Sequence, residues 1–419
     1  MRKLLTLGAA LAVAGTLSLS ACGGGGSGTT ETTPSPTAAT SAPASAGGIS
    51  IWIDSNREPV LTPLAEQFEA DTGVSVQLIV KDSSAIVDDF TTQAPSGQGP
   101  DAIITAHDNI GRMVQNGVIA PIELGGAAED FQPVTVQAFT YEGQVYGVPY
   151  SIENLALIRN TELAPDAPAT WDDAVAAGQA AGTSFPILVG GDDATTASAY
   201  NLYPFQQSFG APVFELTADG SYDASQVAMG GEAGAAFAQW LDEQAKAGIL
   251  RLSITNDIAI TEFTAGNSPF IVTGPWNLDQ VKAAGFDYSI DPIPSAGPEP
   301  AAPFVGAWGF AMSAYTQNEL SVQRFLTEYV ATEETQTALF EAGNRAPANK
   351  AAFEAASSDP DVAAFGAVGA AGVPMPNVPA MAGVWTDWGN ALTEIVDQRT
   401  DDPAGTWQSM VDTLQGKIG

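Results

Sequence analysis

The chain has 419 residues, with 14 basic and 48 acidic side chains, one histidine, one cysteine and a net charge of −34. That charge excludes nucleic acid as a partner, because phosphate backbones are bound by basic patches, and it repels the chain from anionic membrane surfaces. A single cysteine excludes an intramolecular disulfide, and one histidine beside one cysteine excludes a zinc site of the usual His/Cys kind.

Arg2 and Lys3 open the chain, and Leu4 to Leu19 is apolar and uncharged before Leu19-Ser20-Ala21-Cys22. The apolar run falls short of the ~20 residues a membrane span needs and ends in small residues, so residues 1–21 read as a secretory signal peptide. Its removal takes away Arg2 and Lys3 and leaves a charge of −36. Leu-Ser-Ala-Cys resembles the lipobox of bacterial lipoproteins, in which the cysteine is lipidated and becomes the new N-terminus. The alternative for Cys22 is a free thiol in a loop. Residues 23–48 are Gly, Ser, Thr, Ala and Pro with one acid, Glu31, a composition that buries no core, so residues 22–48 read as a lipid-anchored flexible tether. Gly23 to Gly28 matches G-x-G-x-x-G by composition alone. No strand precedes it and no helix follows, so it is no nucleotide site.

The remaining ~370 residues exceed one compact core and predict two lobes. Ile49 to Ile53 reads as a strand running into Asp54-Ser55-Asn56-Arg57. Thr62 reads as a helix cap with Pro63 in the first turn. Leu61, Leu64 and Phe68 follow at helical spacing, and Gly73 ends the helix. Val74, Val76, Leu78 and Val80 alternate as a strand. Gly99-Pro100 leads into a buried strand, Ala102–Thr105, whose polar end carries His107 and Asp108. Strand, helix and strand in succession predict a parallel, helix-covered sheet. Phe237, Trp240 and Leu241 mark a helix ending at Gly248. Phe270-Ile271-Val272 is a strand closed by Thr273-Gly274-Pro275-Trp276. Val322, Phe325, Leu326, Tyr329 and Val330 give another amphipathic helix. The Pro/Gly-rich stretches 292–303 and 366–379 read as loops and crossings between lobes. No internal repeat is present.

The chemistry available is narrow. No P-loop, G-x-S-x-G elbow or H-E-x-x-H occurs. His107 reads as a structural hydrogen-bonding residue beside a strand end. Ligands of open α/β sheets sit beyond the carboxyl ends of strands, where Asp108 stands; the plainer role for Asp108 is to cap the next helix. A glycoside hydrolase needs two carboxylates ~5 to ~9.5 Å apart, and with 48 acids no single pair stands out. Trp276 follows Gly274-Pro275 at a strand end, and Trp385 and Trp388 follow the loop 373–379. Each alone reads as core, since Trp is highly buried on average. Exposed in loops, they instead offer flat faces on which sugar rings stack.

A series of segments in one order resembles the maltose/maltodextrin-binding proteins, extracytoplasmic receptors of ABC sugar importers. The segments are IWIDSN (51–56), FEADTG (68–73), GPDAIITAHD (99–108), EGQVYGVPYSIENLALIRN (142–160), TWDD (170–173), TGPW (273–276), FVGAWGF (304–310) and VPMPNVPAM (373–381), with Trp385 beyond. They span nearly all of residues 49–390, and the insert 185–250 matches weakly. The resemblance implies an α/β, two-lobed periplasmic-binding-protein fold (type II) with the ligand in the interlobe cleft. The implied first lobe is 49–152 with 309–357, and the second is 153–308 with 358–419. It implies a binding protein and not an enzyme, with no cofactor and no metal. Its implied partners are maltose or a maltooligosaccharide and the permease subunits of an ABC importer. The implied state is a monomer outside the cytoplasmic membrane, held there through the Cys22 lipid only.

The implied substrate contacts are Asn56 and Arg57, Asp88, Asp108, Glu153, Tyr200, Trp276 and Trp385. Asp108 and Glu153 stand at acids that accept sugar hydroxyls, Trp276 and Trp385 at stacking aromatics, and Tyr200 at a third aromatic. Asn56 keeps hydrogen bonding but loses an acid of the family pattern. Thr105, Asn109 and Gly389 stand where the family often has tryptophan, arginine and arginine, which implies fewer first-lobe contacts. The competing readings are a lipid-anchored glycoside hydrolase and a receptor for a different sugar or a non-sugar solute such as a polyamine.

Overall fold

The structure is a computed structural model that describes residues 47–217 and 222–418. The expected signal peptide, Cys22 and all of the tether but Gly47 and Gly48 lie outside the described residues. In chain order the strands that build the two lobes are β1 (Ile49–Ile53), β2 (Val76–Val80), β3 (Ala102–Ala106), β4 (Val148–Asn154), β5 (Ala156–Asn160), β6 (Leu188–Val189), β7 (Phe270–Thr273), β8 (Tyr288–Asp291), β9 (Phe304–Ser313), β10 (Ala346–Pro347) and β11 (Val373–Pro374).

The first sheet runs β10-β4-β9-β3-β1-β2. β1 pairs in parallel with β2 and β3, as the βαβ pattern predicts. Ile49, Ile51, Ile53 and Trp52 are all buried, the mark of a strand covered on both faces. The sheet is not parallel throughout, however. β9 lies antiparallel between β3 and β4, because it returns directly from the second lobe and needs no crossover helix. The second sheet runs β8-β5-β7-β6, with β5 antiparallel to both its neighbours and β6 parallel to β7.

Each sheet carries its own core. Phe68, Phe90, Phe131, Phe139, Phe310 and Phe325 pack in the first. Trp171, Phe205, Phe237, Trp388 and Trp407 pack in the second. β9 passes between them within three residues: Phe304 belongs to the second core and Ala307 to the first. β4 runs into β5 with only Leu155 between them. β4 and β9 pair antiparallel where they cross, Val305 opposite Asn154 and Gly306 opposite Glu153. Glu153 thus sits on the hinge itself.

Several local expectations change. The first helix spans Glu58–Thr72, so it starts four residues before Thr62. Pro59 suits its first turn, where no N–H is needed, and Glu58 suits the positive end of the helix dipole. Thr62 does not cap it; its hydroxyl donates back to the Glu58 carbonyl at 2.8 Å. Gly73, at φ 75°, ends it as expected. The helix through Val322 continues from Glu319–Arg324 into a π turn at Phe325–Val330, which keeps Phe325 against Phe68 at 5.3 Å. Residues 366–369 are not loop but the end of the helix Pro360–Gly369. Among the described residues no helix is long and apolar enough to cross a membrane.

Candidate functional site

Aromatic side chains from three elements make one wall. Trp276 lies in the 3-10 turn Pro275–Asn277 just beyond β7. Its ring folds back over Gly274, where an added Cβ would fall 2.1 Å from the indole, so only glycine permits that pose. Tyr200 opens the helix Ala199–Ser208, capped by Ser198, whose Oγ accepts from the Asn201 amide at 3.3 Å. Its ring centroid is 6.5 Å from that of Trp276. Trp385 and Trp388 are not in a loop: both belong to the helix Pro379–Val396. A spacing of three puts both on one face, and their rings stack at 5.4 Å. Trp388 is fully buried core and Trp385 is half-buried. Phe304, the first residue of β9, backs the wall, stacked at 6.5 Å on Tyr200 and edge-on at 6.2 Å to Trp385.

Charged groups face this wall. Arg57 is buried at the start of the first helix, paired with Asp54 and donating from Nε to the Tyr150 hydroxyl at 2.8 Å. Its guanidinium lies 5.1 Å from the Trp308 ring. Trp308 Nε1 donates to Glu153 Oε1 at 2.7 Å, and the other oxygen of Glu153 pairs with Arg345 Nε. Arg345 is itself buried, and its guanidinium lies 5.5 Å from the Trp276 ring. Asp54, Arg57, Trp308, Glu153, Arg345 and Trp276 thus form one chain of contacts through the hinge.

Asp108, beyond the carboxyl end of β3, is buried; its Oδ2 accepts from Trp385 Nε1 at 3.2 Å and its Oδ1 from Asn109 Nδ2 at 3.2 Å. Burial pushes its carboxyl above the ordinary range, against the hydrogen bond from Trp385. The Tyr200 hydroxyl is buried and has no hydrogen-bond partner. Burial first, and then the charge of Glu153, hold it protonated well above its usual range, while Arg345 pulls the other way. The charges of Glu153, Arg345 and Asp108 therefore all act on that oxygen.

Of the expected contacts, Arg57, Asp108, Glu153, Tyr200, Trp276 and Trp385 come together in this way. Asn56 and Asp88 stand apart and exposed. Asp88 pairs at 2.8 Å with Arg112, which reaches Asn109 at 3.3 Å. His107 is structural, as its position predicts. Its Nδ1 accepts from the Ala307 amide at 3.1 Å on β9, and its Nε2 lies 2.9 Å from the Met375 carbonyl beyond β11. Those bonds fit a neutral ring with the proton on Nε2, and burial lowers its pKa.

Two cavities flank Tyr200. One, of about 390 Å³, is lined by Trp385, Thr386, Gly389 and Asn390; the other, of about 220 Å³, by Trp276, Asn256, Asp257 and Asn277. Asp192 lines both, and desolvation raises its pKa. A larger cavity, about 720 Å³, takes in Val134, Phe353, Val362 and Phe365; it includes Glu153 and Pro275 but has none of Asp108, Tyr200, Trp276 or Trp385 in its wall.

Residues 63–366 match the family described as bacterial extracellular solute-binding protein. The chain belongs to that family. A galactooligosaccharide-binding protein of Bacillus subtilis is 25% identical over 398 residues, spanning 90% of this chain and 92% of the relative. A maltooligosaccharide ABC transporter solute-binding lipoprotein of Streptococcus pneumoniae is 27% identical over 395 residues, again covering 90% and 92%. The structure of a Thermus thermophilus maltotriose-binding protein bound with maltotriose superposes with a TM-score of 0.79 at 31% identity, covering 88% of this chain and all of that one. The likeness carries the two-lobed α/β fold.

Asp192, Tyr150, Phe304, Trp308 and Arg345 of this solute-binding protein were missed by sequence reasoning. Asp192 had a usable signal: it follows Gly190-Gly191 just past the carboxyl end of β6, as Asp108 follows β3. Arg345 had none beyond the scarcity of basic residues, because its partner Glu153 is 192 positions away.

Proposed function

We propose that this protein is the sugar receptor of an ABC importer, taking a maltooligosaccharide between its lobes and presenting the closed form to the permease subunits. The observation that carries this is the aromatic wall of Trp276, Tyr200 and Trp385, with the unpartnered Tyr200 hydroxyl facing Glu153, Arg345 and Asp108. Apolar ring faces beside a few polar groups suit a pyranose, whose C–H faces stack while its hydroxyls hydrogen-bond. The lobes divide as 49–152 with 309–357 and 153–308 with 358–419, and the crossing of β4 and β9 supports that division. Binding closes the lobes about these strands. The protein does no covalent chemistry and works as a monomer on the extracytoplasmic face of the membrane. A lipid on Cys22 keeps it near the transporter and raises its effective concentration there.

The relatives support oligosaccharides of two kinds, so sugar identity is the quantity to measure. A thermal-shift screen of the mature protein against maltose, maltotriose and a galactooligosaccharide tests the reading. A ligand at ~100 times its Kd adds ~2.7 kcal/mol to stability, and maltotriose is expected to give the largest shift. No shift with any neutral oligosaccharide, or sugar released from an α-glucan by the purified protein, refutes it.

A further inference from the structure

We propose that Arg345, and not Glu153, is the hinge-side group that hydrogen-bonds the sugar unit on Trp276, and that Glu153 is the positioning residue that aims it. The proposal rests on the sugar-receptor reading above and names the contact at its centre.

The two oxygens of Glu153 are already engaged, one by Trp308 Nε1 at 2.7 Å and one by Arg345 Nε. Its side chain is only 9% exposed, as is that of Arg345. A carboxylate so placed can take a further bond only at its remaining lone pairs. Arg345 is in the opposite condition. Its Nε anchors it to Glu153, and its two terminal nitrogens donate no hydrogen bond among the described residues. Neither of them belongs to the buried polar atoms left without a partner, so each keeps some solvent contact and a free donor. The guanidinium that carries them lies 5.5 Å from the Trp276 ring.

The backbone makes this pose rigid. Asn344 takes the left-handed conformation, φ 55°, that ends the helix Glu333–Gly343, and Ala346–Pro347 pairs at once with Ser151 and Ile152 of β4. Arg345 is therefore pinned between a helix cap and a strand beside Glu153. A planar guanidinium fixed at one nitrogen presents the other two as a parallel pair of donors. Two adjacent hydroxyl oxygens on a pyranose ring match that pair, and stacking on Trp276 sets the ring plane. The ligand class implied is a neutral sugar with two vicinal acceptor oxygens at this position. The charge of Arg345 is cancelled by Glu153, so no anionic group is required.

The test uses the mature protein and maltotriose as probe, with affinity from calorimetry and ligand-free melting temperature as the fold control. Arg345→Gln is expected to lose 30-fold or more in affinity. Arg345→Lys keeps the charge beside Glu153 but loses the paired donors, and is expected to lose at least tenfold while folding normally; it decides the matter alone should Arg345→Gln fail to fold. Glu153→Gln keeps an acceptor for one neighbour and turns a donor toward the other, but leaves the paired donors of Arg345 in place and is expected to lose less than Arg345→Lys. Because Glu153 acts through Arg345, the double variant Glu153→Gln/Arg345→Lys is expected to bind no more weakly than Arg345→Lys alone, a non-additivity that a merely structural glutamate does not give. Arg345→Lys within threefold of wild type, or additive losses in the double variant, overturns the proposal. Failure of the wild type to bind any neutral oligosaccharide is a different result and refutes the sugar-receptor reading itself.

Discussion

Asp108→Asn separates a carboxylate that binds ligand from one that merely holds the fold. The side chain is buried, and its two oxygens accept from Asn109 Nδ2 and Trp385 Nε1, each at 3.2 Å. Asparagine keeps one acceptor and turns the other into a donor facing a donor. In the free protein that loses part of one bond to a charged group, worth ~1.5–3 kcal/mol. It also relieves the cost of burying a charge, which is what pushes the Asp108 carboxyl upward. The two terms oppose at similar size, so the ligand-free melting temperature is expected to stay within about 2 °C, where 1 kcal/mol corresponds to ~1–2 °C for roughly 370 folded residues. In the complex nothing offsets the lost acceptor, and ~1.5–3 kcal/mol is roughly a 10- to 100-fold loss in affinity. The pH dependence gives a second check. A raised folded-state pKa means that Asp108 favours folding most below its unfolded value of 3.8 and loses that contribution as pH rises through the folded value. Wild type therefore carries the burial cost at pH 7 and is relieved of it in acid, whereas the variant does not change. Calorimetric titration with maltotriose and melting curves at pH 7 and pH 4 read both effects. Wild-type affinity in Asp108→Asn, or a melting point lower by more than 5 °C, refutes the reasoning and makes Asp108 a structural residue.

Three further outcomes are expected. Gly274→Ala places a Cβ 2.1 Å from the Trp276 indole, so the ring must swing away; maltotriose affinity should fall about tenfold with a changed tryptophan emission spectrum, and an unchanged spectrum contradicts the account of that pose. His107 is held neutral by burial, with a pKa below the ordinary 6.5. The unfolded chain takes up its proton first as pH falls below 6.5, so stability is lost there by up to ~1.4 kcal/mol per pH unit until the folded value is reached. His107→Gln removes that slope, and its stability relative to wild type should rise between pH 6.5 and 5; parallel curves count against it. Cys22→Ala should leave the protein unprocessed or release it from membranes, and processed variant in the membrane pellet on cell fractionation refutes the anchor.

Much of the fold was legible because its signals are local. The run Ile49–Ile53, the alternation at Val76–Val80 and the apolar Ala102–Thr105 each form the strand they predict, since period and burial are written within five residues. Asp108 and Trp276 were legible for a related reason: both stand just past a strand end, where an α/β sheet leaves its crevice. What stayed hidden depends on contacts across the chain. The antiparallel placing of β9 follows from a return between lobes that no window contains. Trp385 read as a loop residue because the Pro-rich stretch before it hides a helix whose proline occupies the first turn. Arg57 read as a substrate contact through the resemblance alone, and nothing local showed that Tyr150, 93 positions on, accepts its Nε hydrogen bond. Arg345 could not be read at all, because its role is set by Glu153 and Trp276 together.

The charge pattern of the cleft bears on which solute it selects. The chain carries a net −34, and a receptor for a cation such as a polyamine would turn unpaired carboxylates toward its ligand. Here the deepest carboxylates are cancelled in place: Asp54 by Arg57 and Glu153 by Arg345. Asp108, which has no ion-pair partner among the described residues, has its pKa raised by burial, so the site resists holding bare charge there, while Asp192 stands exposed. Both arginines also lie over aromatic rings, Arg57 over Trp308 and Tyr150 and Arg345 over Trp276, which spends their remaining charge on protein π-faces. A surface that neutralises its own ions in pairs and then offers three aromatic faces has little left to attract a charged solute. It retains fixed donors and acceptors set beside flat apolar area, and that combination fits a neutral ring carrying many hydroxyls.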